Sequence, residues 1–422
     1  MNSVEDASDC RQDFPSSRLD GTRLWKRLQD LATIGATLEG GVDRPALSPA
    51  ETAARRRVIA WASELETTVS VDLAGNLLFC LEGSDPHLPA VLTGSYLDSQ
   101  PDGGKYSGAY GMVAAIEALA AIAVTRRRHR RSIVAICWMN GEGSRFVPGY
   151  MGSEAFAGLR QIAELLACED ASGVKLADEL AAVLAAQGPL PTTTVGFPAL
   201  AYVETHLEQG PVLEQQNKQI GIVSGVQGVR RFRIQVLGEA AHIGTTLTPH
   251  RRDALRSTVK IIAALDQFFS APDMGFAVSQ LRVKPNAPSI VPQEATFSLA
   301  IRHRENRILT RMGDTIRLIC ESEKGLCNFI MKELASTPAV TFSPVVPEAI
   351  EIASRRLGLE SMPILSLGGH DAQSLHHRCP SGIIFIPCRL GISHNSAEAI
   401  EPAHAEAGAK VLADVLFQLA RS

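Results

Sequence analysis

The chain of 422 residues is 45% apolar and 20% charged, with a formal net charge of −4. This length exceeds what one hydrophobic core normally supports, so two domains are expected. The small negative charge gives no reason to expect a nucleic acid or an anionic membrane as partner, and no apolar stretch approaches the ~18–20 residues needed to span a bilayer.

The first twenty residues, MNSVEDASDCRQDFPSSRLD, predict a flexible tail (1–20). They are polar and acidic and lack the apolar centre of a signal peptide. The eight cysteines of the chain are scattered and form no C-x-x-C pair, as is usual where thiols stay reduced. These features predict a cytoplasmic protein.

Apolar strands and amphipathic helices alternate over the first half of the chain. In the segment LSPAE, Ser48 is a predicted N-cap, Pro49 takes the first helical position and Glu51 completes a capping box. Strands are expected in the apolar runs Val69–Asp72, Leu77–Cys80, Ala90–Leu92 and Ile133–Trp138. This alternation is typical of an α/β fold whose sheet is covered by helices on both faces.

The stretch GSYLDSQPDGGKYSGAYG, from Gly94 to Gly111, joins one of these strands to a long apolar helix. Open α/β sheets place their chemistry in such loops, outside the carboxyl ends of the strands. The loop carries tyrosine, aspartate, lysine and serine side chains where a plain connection could be short. It is therefore the first candidate for an active-site loop.

The pattern changes in the second half, where strands with one polar face replace the fully apolar strands. Helices are expected near Asp253–Phe269 and Arg307–Glu333, and apolar strands and helices resume after the second one. The sequence thus predicts a discontinuous α/β domain of the catalytic type, residues 21–215 and 331–422. A smaller α+β lid or dimerisation domain, residues 216–330, interrupts it.

Several motifs together resemble those of one enzyme family across nearly the whole chain. They are, in chain order, GSYLDSQPDGGKYSGAYG, NGEGSRF, HLEQGPVLE, GEAAHIGTT, PNAPSIVPQEATFSLAIR, GGHDA and GISHNSAE. The set resembles the amidohydrolase and carbamoylase branch of the zinc aminoacylase/carboxypeptidase superfamily, which contains N-carbamoyl-L-amino-acid hydrolases, allantoate amidohydrolases and β-ureidopropionases. The resemblance implies a zinc-exopeptidase-like α/β/α domain with an inserted α+β dimerisation (lid) domain, and hence a homodimer.

The resemblance also implies a metal site. Members of that branch hold two metal ions bridged by one carboxylate, and a glutamate deprotonates the metal-held water. Paired divalent ions ~3.5–4 Å apart polarise a carbonyl and generate hydroxide near neutral pH, and histidine and carboxylate are suitable ligands. By this resemblance, Glu142, His206 and His394 match metal ligands.

Three other positions depart from the family pattern. Tyr96 stands where the family has its first histidine ligand, Ser107 where it has the bridging aspartate, and Gly141 where it has the general base. A neutral serine hydroxyl cannot neutralise two dications, and a phenol with a reference pKa of about 10 is a poor ligand. Glycine has no side chain that could accept a proton from water. The normal two-zinc site is therefore not expected.

Two alternatives are open for this site. Glu142, His206 and His394 form a two-histidine, one-carboxylate set that could hold a single divalent ion, zinc or manganese. In the other alternative no metal binds, and Glu142 is a catalytic general base in metal-free chemistry. The expected cofactor is therefore none or one divalent metal.

Positions on the substrate side match the family better. Arg302 matches the arginine that holds a substrate carboxylate, for which its planar fork is suited. His242 matches a lid histidine that stabilises the oxyanion, which makes it a second catalytic candidate. Ser289 replaces the family's substrate-contacting asparagine, and the nearby Asn286 could serve instead. The remaining matches to pocket residues are Gln209, Gly369 and His370.

Two functions are compatible with these residues. In the first, a divergent enzyme acts on the C–N (amide or ureido) bond of a small N-acyl- or N-carbamoyl-type amino acid whose carboxylate binds Arg302. Its reaction is hydrolysis by a reduced or metal-free site, or a lyase or acyl-transfer reaction. In the second, a catalytically inactive homologue acts as a small-molecule-binding or regulatory dimer. The retained substrate residues favour the first function, whereas the lost base and bridge favour the second.

We predict that Tyr96→His, Ser107→Asp and Gly141→Glu together recruit zinc and confer carbamoylase activity, because they restore the family's ligand, bridge and base. The metal content of the triple variant, purified without chelator beside the wild-type chain, checks this prediction. A triple variant that stays metal-free would mean that these positions do not correspond to the family's metal site.

Overall fold

A computed structural model describes residues 14–422 of the chain. The chain divides into two compact units. The first runs to Gly225 and resumes at Phe342–Ser422, and the second is Val226–Thr341. The first unit contains a large mixed sheet with helices, which confirms the predicted α/β fold class.

The elements alternate along the chain as follows. The strands are β1 (Thr68–Val71), β2 (Leu77–Leu81), β3 (Ala90–Tyr96), β4 (Ile133–Trp138), β5 (Ala199–Leu207), β6 (Ile220–Val226), β7 (Gly228–Leu237), β8 (Ala241–His242), β9 (Gly275–Lys284), β10 (Ile290–Val291), β11 (Glu294–His303), β12 (Asn328–Thr337), β13 (Val340–Thr341), β14 (Ser361–Ser366) and β15 (Ser381–Ile386). The α-helices are Gly21–Ala32, Pro49–Ser63, Ala109–Thr125, Met151–Ala157, Ile162–Leu166, Leu176–Gln187, Val212–Gln215, Ala254–Phe268, Asn306–Glu323, Val345–Arg356, Asp371–Leu375 and Pro402–Arg421.

The sheet of the first unit determines where functional side chains can meet. Its strands follow the order β1-β2-β4-β3-β5-β15-β6, and β14 also pairs with β6. β3 is parallel to β4 and β5, and β15 is parallel to β5. Their carboxyl ends therefore share one edge of the sheet. The helices Ala109–Thr125 and Pro402–Arg421 pack together over these strands and bury the main apolar core.

The second unit is an antiparallel sheet with two helices. Its strand order is β12-β7-β11-β9. The helices Ala254–Phe268 and Asn306–Glu323 bury a separate apolar core against this sheet. This unit is the α+β insert that the alternating pattern predicts.

The bounds of the second unit differ from the predicted 216–330. Because β6 pairs with β15 in the large sheet, the unit begins only at Val226. It extends to Thr341 because the chain forms β12 after its last helix. The predicted helix Arg307–Glu333 is wrong at its C-terminal end, since the helix stops at Glu323 and the segment NFIMKELAST pairs with β7. Much of that segment has the two-residue period of a strand.

The predicted flexible tail is wrong for its last residues. Pro15–Arg18 form a short 3-10 helix, and the Ser16 backbone N–H donates to Oδ1 of the buried Asp414 at 2.9 Å. This contact ties the segment to the C-terminal helix. Residues 1–13 lie outside the described part of the chain.

The start of the helix Pro49–Ser63 confirms the predicted N-cap. The Ser48 side chain accepts a hydrogen bond from the Glu51 backbone N–H at 3.1 Å. The Glu51 carboxylate reaches back to the Leu47 N–H at 3.2 Å instead of the Ser48 N–H. The return bond of the capping box is thus displaced by one residue.

Two further properties of the described residues concern membrane-spanning helices and the reactivity of the thiols. No helix among residues 14–422 is long and apolar enough to cross a membrane. The cysteines of this part of the chain are free thiols. Burial raises the pKa of Cys379 to about 11 and that of Cys388 to about 12, so neither thiol is an ionised nucleophile near neutral pH.

A buried ion pair anchors the central helix Ala109–Thr125 of the first unit. The Glu117 carboxylate has no exposed area and accepts hydrogen bonds from Arg23 and Arg27, each pair at 2.7 Å. We predict that Glu117→Gln lowers the free energy of unfolding by about 3–5 kcal/mol, because it removes the buried anion that both arginines share and leaves the buried Arg27 with only the exposed Glu64 as an anionic partner. Urea unfolding of the two proteins measures this loss.

The matched control is Glu351→Gln. Glu351 pairs with Arg355 on an exposed helix face, where such a pair contributes about 0.3–0.5 kcal/mol. Equal losses for the two variants would contradict the anchoring role of Glu117.

Candidate functional site

Four segments meet at the carboxyl edge of the large sheet. β3 ends at Tyr96, and β4 leads into the loop that contains Gly141 and Glu142. β5 carries His206 near its end, and the chain after β15 carries His394. Because these strands are parallel, residues far apart in sequence come together at one site.

Tyr96 is the residue around which this site packs. Its side chain is buried, at 5% exposure. Gly141 borders its Cδ1 edge so closely that a Cβ at position 141 would lie 2.6 Å from Tyr96 Cβ and still nearer to the ring. Gly108, with φ +72°, borders the Cε2 edge and would clash with the ring in the same way. The ring therefore fits only because both neighbours lack a side chain.

The hydroxyl of Tyr96 lies between two predicted metal ligands. It donates to Glu142 Oε1 at 3.0 Å, and its oxygen is 3.2 Å from His206 Nε2. Gln100 Nε2 donates to the other carboxylate oxygen, Oε2 of Glu142, at 2.9 Å. Both oxygens of Glu142 are thus hydrogen-bonded, and the side chain is only 7% exposed.

The imidazole of His206 has a defined tautomer. Its Nδ1 lies 2.9 Å from the carbonyl oxygen of Leu207, which can only accept, so Nδ1 carries the proton. Burial, together with His370, lowers the pKa of His206 to about 3, and Nε2 of the neutral ring faces Tyr96 as an acceptor. The single phenol proton can serve Glu142 or His206 but not both.

His394 lies at the open side of the site. Its Nε2 is 3.7 Å from Glu142 Oε2, and its side chain is 49% exposed. Its backbone has φ +52°, a left-handed conformation that costs a non-glycine residue free energy and is frequent at functional sites. Of the three predicted metal ligands, Glu142 and His394 thus lie side by side. The Tyr96 hydroxyl lies between Glu142 and His206.

The donor set, as arranged, does not fit the two-metal centre that the family resemblance implies. Position 107 carries a hydroxyl that accepts from Gln209 Nε2 at 3.2 Å, with no carboxylate to bridge two ions. The phenol of Tyr96 fills the space between Glu142 and His206. Among residues 14–422, no three His, Cys, Asp or Glu side chains are grouped so that they could hold a metal ion.

Asp98 supports the loop that carries Glu142. Its carboxylate accepts from the backbone N–H groups of Gly141 at 2.9 Å and of Glu142 at 3.0 Å. Burial, and then the nearby Glu142, raise the pKa of Asp98 to about 8. Asp98 therefore holds the backbone at the Tyr96–Gly141 contact.

Gln209 ties together three segments of the site. Its amide Nε2 donates to Ser107 Oγ at 3.2 Å and to Ser393 Oγ at 2.9 Å. Ser393 in turn donates to Glu398, whose other oxygen accepts from the Ser107 N–H. The amide nitrogen of Gln209 is thus used within the protein.

His370 is buried behind His206. Its Nδ1 lies 3.2 Å from Glu204 Oε1 and its Nε2 lies 2.8 Å from Ser366 Oγ. Its ring packs edge-on against that of His206, with centroids 4.9 Å apart. Both nitrogens are therefore engaged, and in this arrangement His370 supports His206 rather than facing a ligand. Gly369 lies against the Tyr150 hydroxyl, which is within 2.8 Å of where a Cβ would be.

Sequence reasoning missed Gln100, Glu204 and Glu398. Glu204 had a signal, because it is a charged residue in the apolar strand AYVETHL, two residues before His206 and hence on the same face. Gln100 and Glu398 lie in loops and have no periodic signal. Their roles depend on contacts between segments distant in sequence.

The remaining predicted site residues belong to the second unit. Arg302 lies on β11 opposite Gly275, where a Cβ would be 2.9 Å from Arg302 Cβ. His242 is exposed, and its Nδ1 accepts from the N–H groups of Gly244 at 3.0 Å and of Thr245 at 3.2 Å. In the neutral ring of His242 the proton is therefore on Nε2, which is left as a donor. Asn286 is exposed between β9 and β10.

Comparison with known proteins identifies the family. Residues 93–418 match the model of Peptidase family M20/M25/M40. The chain is 33% identical over 410 residues to an N-carbamoyl-L-amino-acid amidohydrolase of Rhizobium meliloti, covering 96% of this chain and 97% of that relative. It is 31% identical over 396 residues to an allantoate amidohydrolase of Bacillus subtilis (strain 168), with 92% and 95% covered.

Solved structures agree with this assignment. An amidase of the hydantoinase/carbamoylase family from Burkholderia multivorans matches with a TM-score of 0.86 at 33% identity, covering 96% of this chain and 99% of that one. The chain therefore belongs to Peptidase family M20/M25/M40. The resemblance inferred from the motifs is confirmed, and the chain has the scaffold of a hydrolase family.

The contact between Tyr96 and Gly141 yields a prediction. Gly141→Ala should lower the free energy of unfolding by about 1–3 kcal/mol, because the added methyl group overlaps the ring. In a Tyr96→Ala background the same substitution should be milder by about 1 kcal/mol, as expected for residues in contact. Urea unfolding of the four proteins measures this coupling.

Gly83→Ala is the control for this cycle. Position 83 is crowded by the backbone of Arg130 and Arg131 and not by Tyr96, so its effect should be equal in both backgrounds within about 0.5 kcal/mol. Additive losses for positions 96 and 141 would show that the ring does not need the glycine. The same contact means that Gly141→Glu in the triple variant also requires the backbone at position 96 to shift.

Proposed function

We propose that this chain acts on the C–N (amide or ureido) bond of a small N-acyl- or N-carbamoyl-type amino acid, without the dinuclear zinc mechanism of its relatives. The relatives' names, N-carbamoyl-L-amino-acid amidohydrolase and allantoate amidohydrolase, support the class of bond and substrate. The observation that carries the proposal is the Tyr96 hydroxyl between Glu142 and His206. Because of this hydroxyl, Glu142 and His206 form an acid–base group with Tyr96 instead of a set of metal ligands.

Arg302 is the proposed anchor for the substrate carboxylate. It is half-buried on β11, and the facing strand offers Gly275, which leaves the surface beside the arginine stem free of a side chain. The guanidinium fork pairs with a carboxylate through two parallel hydrogen bonds. Asn286 and Gln209 Oε1 are proposed to contact the polar amide or ureido group.

His242 is the proposed donor to the developing oxyanion. The two backbone N–H groups at Nδ1 require the proton of the neutral ring to sit on Nε2, so the donor is set before substrate binds. Preset donors of this kind stabilise an oxyanion strongly because they need no reorganisation. We also propose that the chain forms a homodimer through the second unit, as the family resemblance implies.

Glu142 is the proposed general base. In hydrolysis it would take a proton from the attacking water, and the leaving nitrogen would depart as an amine after protonation. Without a metal-activated water, lyase or acyl-transfer chemistry is the other option, since neither needs hydroxide. In acyl transfer Glu142 takes the proton of the acyl acceptor as the new acyl bond forms, and it returns this proton to the nitrogen as the C–N bond breaks. In a lyase reaction it takes the proton of a hydroxyl on the carbon that bears the nitrogen; a C=O bond forms as the C–N bond breaks, and the nitrogen leaves with the proton.

The second candidate function is a non-catalytic homologue that binds a small molecule or regulates a partner as a dimer. The observation that favours it is the double hydrogen bonding of Glu142, whose oxygens accept from Tyr96 and Gln100 and are thus less available as a base. Assay of product from N-carbamoylglycine separates the two functions. Binding without any product favours this second candidate.

For the proposed anchor, we predict that Arg302→Ala weakens binding of N-carbamoylglycine by about 1.5–3 kcal/mol, the usual loss for a hydrogen-bonded charged group. Binding of N-carbamoylglycinamide, which lacks the carboxylate, should be weak and nearly unchanged by the substitution. Isothermal titration calorimetry with both ligands measures the difference.

Arg304→Ala is the matched control. Arg304 follows two residues later with a side chain 66% exposed, and its removal should leave both affinities unchanged. Equal affinity of the wild-type chain and the Arg302→Ala variant for the carboxylate ligand would sink the anchoring role.

A further inference from the structure

The space between Glu142 and His206 is already occupied by the protein itself. The two groups meet one atom, the Tyr96 hydroxyl oxygen, at 3.0 and 3.2 Å. A zinc ion binds imidazole nitrogen and carboxylate oxygen at about 2.0–2.2 Å. An ion that is bound by both Glu142 and His206 would therefore occupy the position of the phenol oxygen. It cannot fit there unless the ring moves.

The ring has no room to move aside. Gly141 closes on one edge and Gly108 on the other, each at a distance where a Cβ would overlap the ring. The backbone at position 141 is held in turn by Asp98, which accepts its N–H at 2.9 Å. The phenol is thus held between two segments of the site, and Asp98 fixes one of them.

Protein groups also hold the two residues that flank the phenol. Gln100 Nε2 donates to Glu142 Oε2 at 2.9 Å. The Leu207 carbonyl fixes Nδ1 of His206 at 2.9 Å, and the ring of His370 packs against that of His206. Neither Glu142 nor His206 depends on an ion for its position.

We propose that Tyr96 is a positioning residue that takes the place of the metal ion: its ring fills the ion's space and its hydroxyl oxygen contacts both Glu142 and His206. This inference rests on the proposed metal-independent function. It implies that Tyr96 and Gly141 form one structural replacement, and that the wild-type chain is closed to zinc at this point.

Zinc titration of the full chain, stripped with chelator and dialysed, tests the proposal. The wild-type chain and Tyr96→Phe, which keeps the ring, should show no zinc binding that depends on His206. Tyr96→His opens the space and adds a ligand, so its zinc affinity should rise by at least about 100-fold, since even residues that only support a ligand change affinity by 10–100-fold. Tyr96→His combined with His206→Ala should lose this gain.

Two results would overturn the proposal. One is a wild-type chain that binds one zinc per chain and loses it on His206→Ala. The other is a folded Tyr96→His variant that binds zinc no more tightly than the wild type. Tyr110→Phe is the control for loss of a buried tyrosine hydroxyl, because that hydroxyl donates to the Ala405 carbonyl and should not affect zinc.

A second measurement applies if Tyr96→His does not fold. In nitrogen-15 histidine spectra, Tyr96→Phe should shift the Nε2 resonance of His206, whereas Tyr110→Phe should not. An unchanged Nε2 resonance would overturn the hydroxyl contact. If Tyr96 does not take the place of the ion, the affinity for N-carbamoylglycine is unchanged. If the proposed function is wrong, that affinity does not depend on Arg302. The two outcomes are therefore distinguishable.

Discussion

The packing of one aromatic ring determines the character of this site. Tyr96 lies between Gly108 and Gly141 with no space for a side chain at either position. From there its hydroxyl reaches Glu142 and His206 together. Protein interiors are close-packed, so a ring of this size can enter only where other groups have withdrawn. Gly108, Gly141, Glu142 and His206 thus all contact this one buried phenol.

The packing of this phenol changes how the departures from the family pattern are understood. In the sequence, Tyr96 and Gly141 look like separate losses, of a ligand and of a base. In the structure Tyr96 and Gly141 are in contact, and the tyrosine ring fits only because position 141 has no side chain. Ser107 also has a partner in the protein, because its hydroxyl accepts a hydrogen bond from Gln209 where a carboxylate would bridge two ions. A site that had merely decayed would not be expected to satisfy its replaced groups in this way.

The sequence predicted the architecture well and the site only in part. Ile133–Trp138 matches β4, and Ser48 caps its helix, because hydrophobic period and capping are local signals. The helix that was expected to reach Glu333 ended at Glu323 because strand pairing with β7 decided the segment beyond it. The contact of Tyr96 with Gly141 could not be predicted, since it depends on how two parallel strands end side by side. Motifs identified the candidate site residues, and the packing shows which of them contact one another.

The central claim is that a phenol, and not a metal ion, joins Glu142 to His206. Diffraction data collected at the zinc absorption edge, from crystals of the wild-type chain grown with zinc, test it most directly. The account predicts no anomalous peak between these two residues, and density for the Tyr96 hydroxyl in contact with both. A peak about 2.0–2.2 Å from Glu142 and His206, the distance of zinc to its ligands, with the phenol ring displaced, would contradict it.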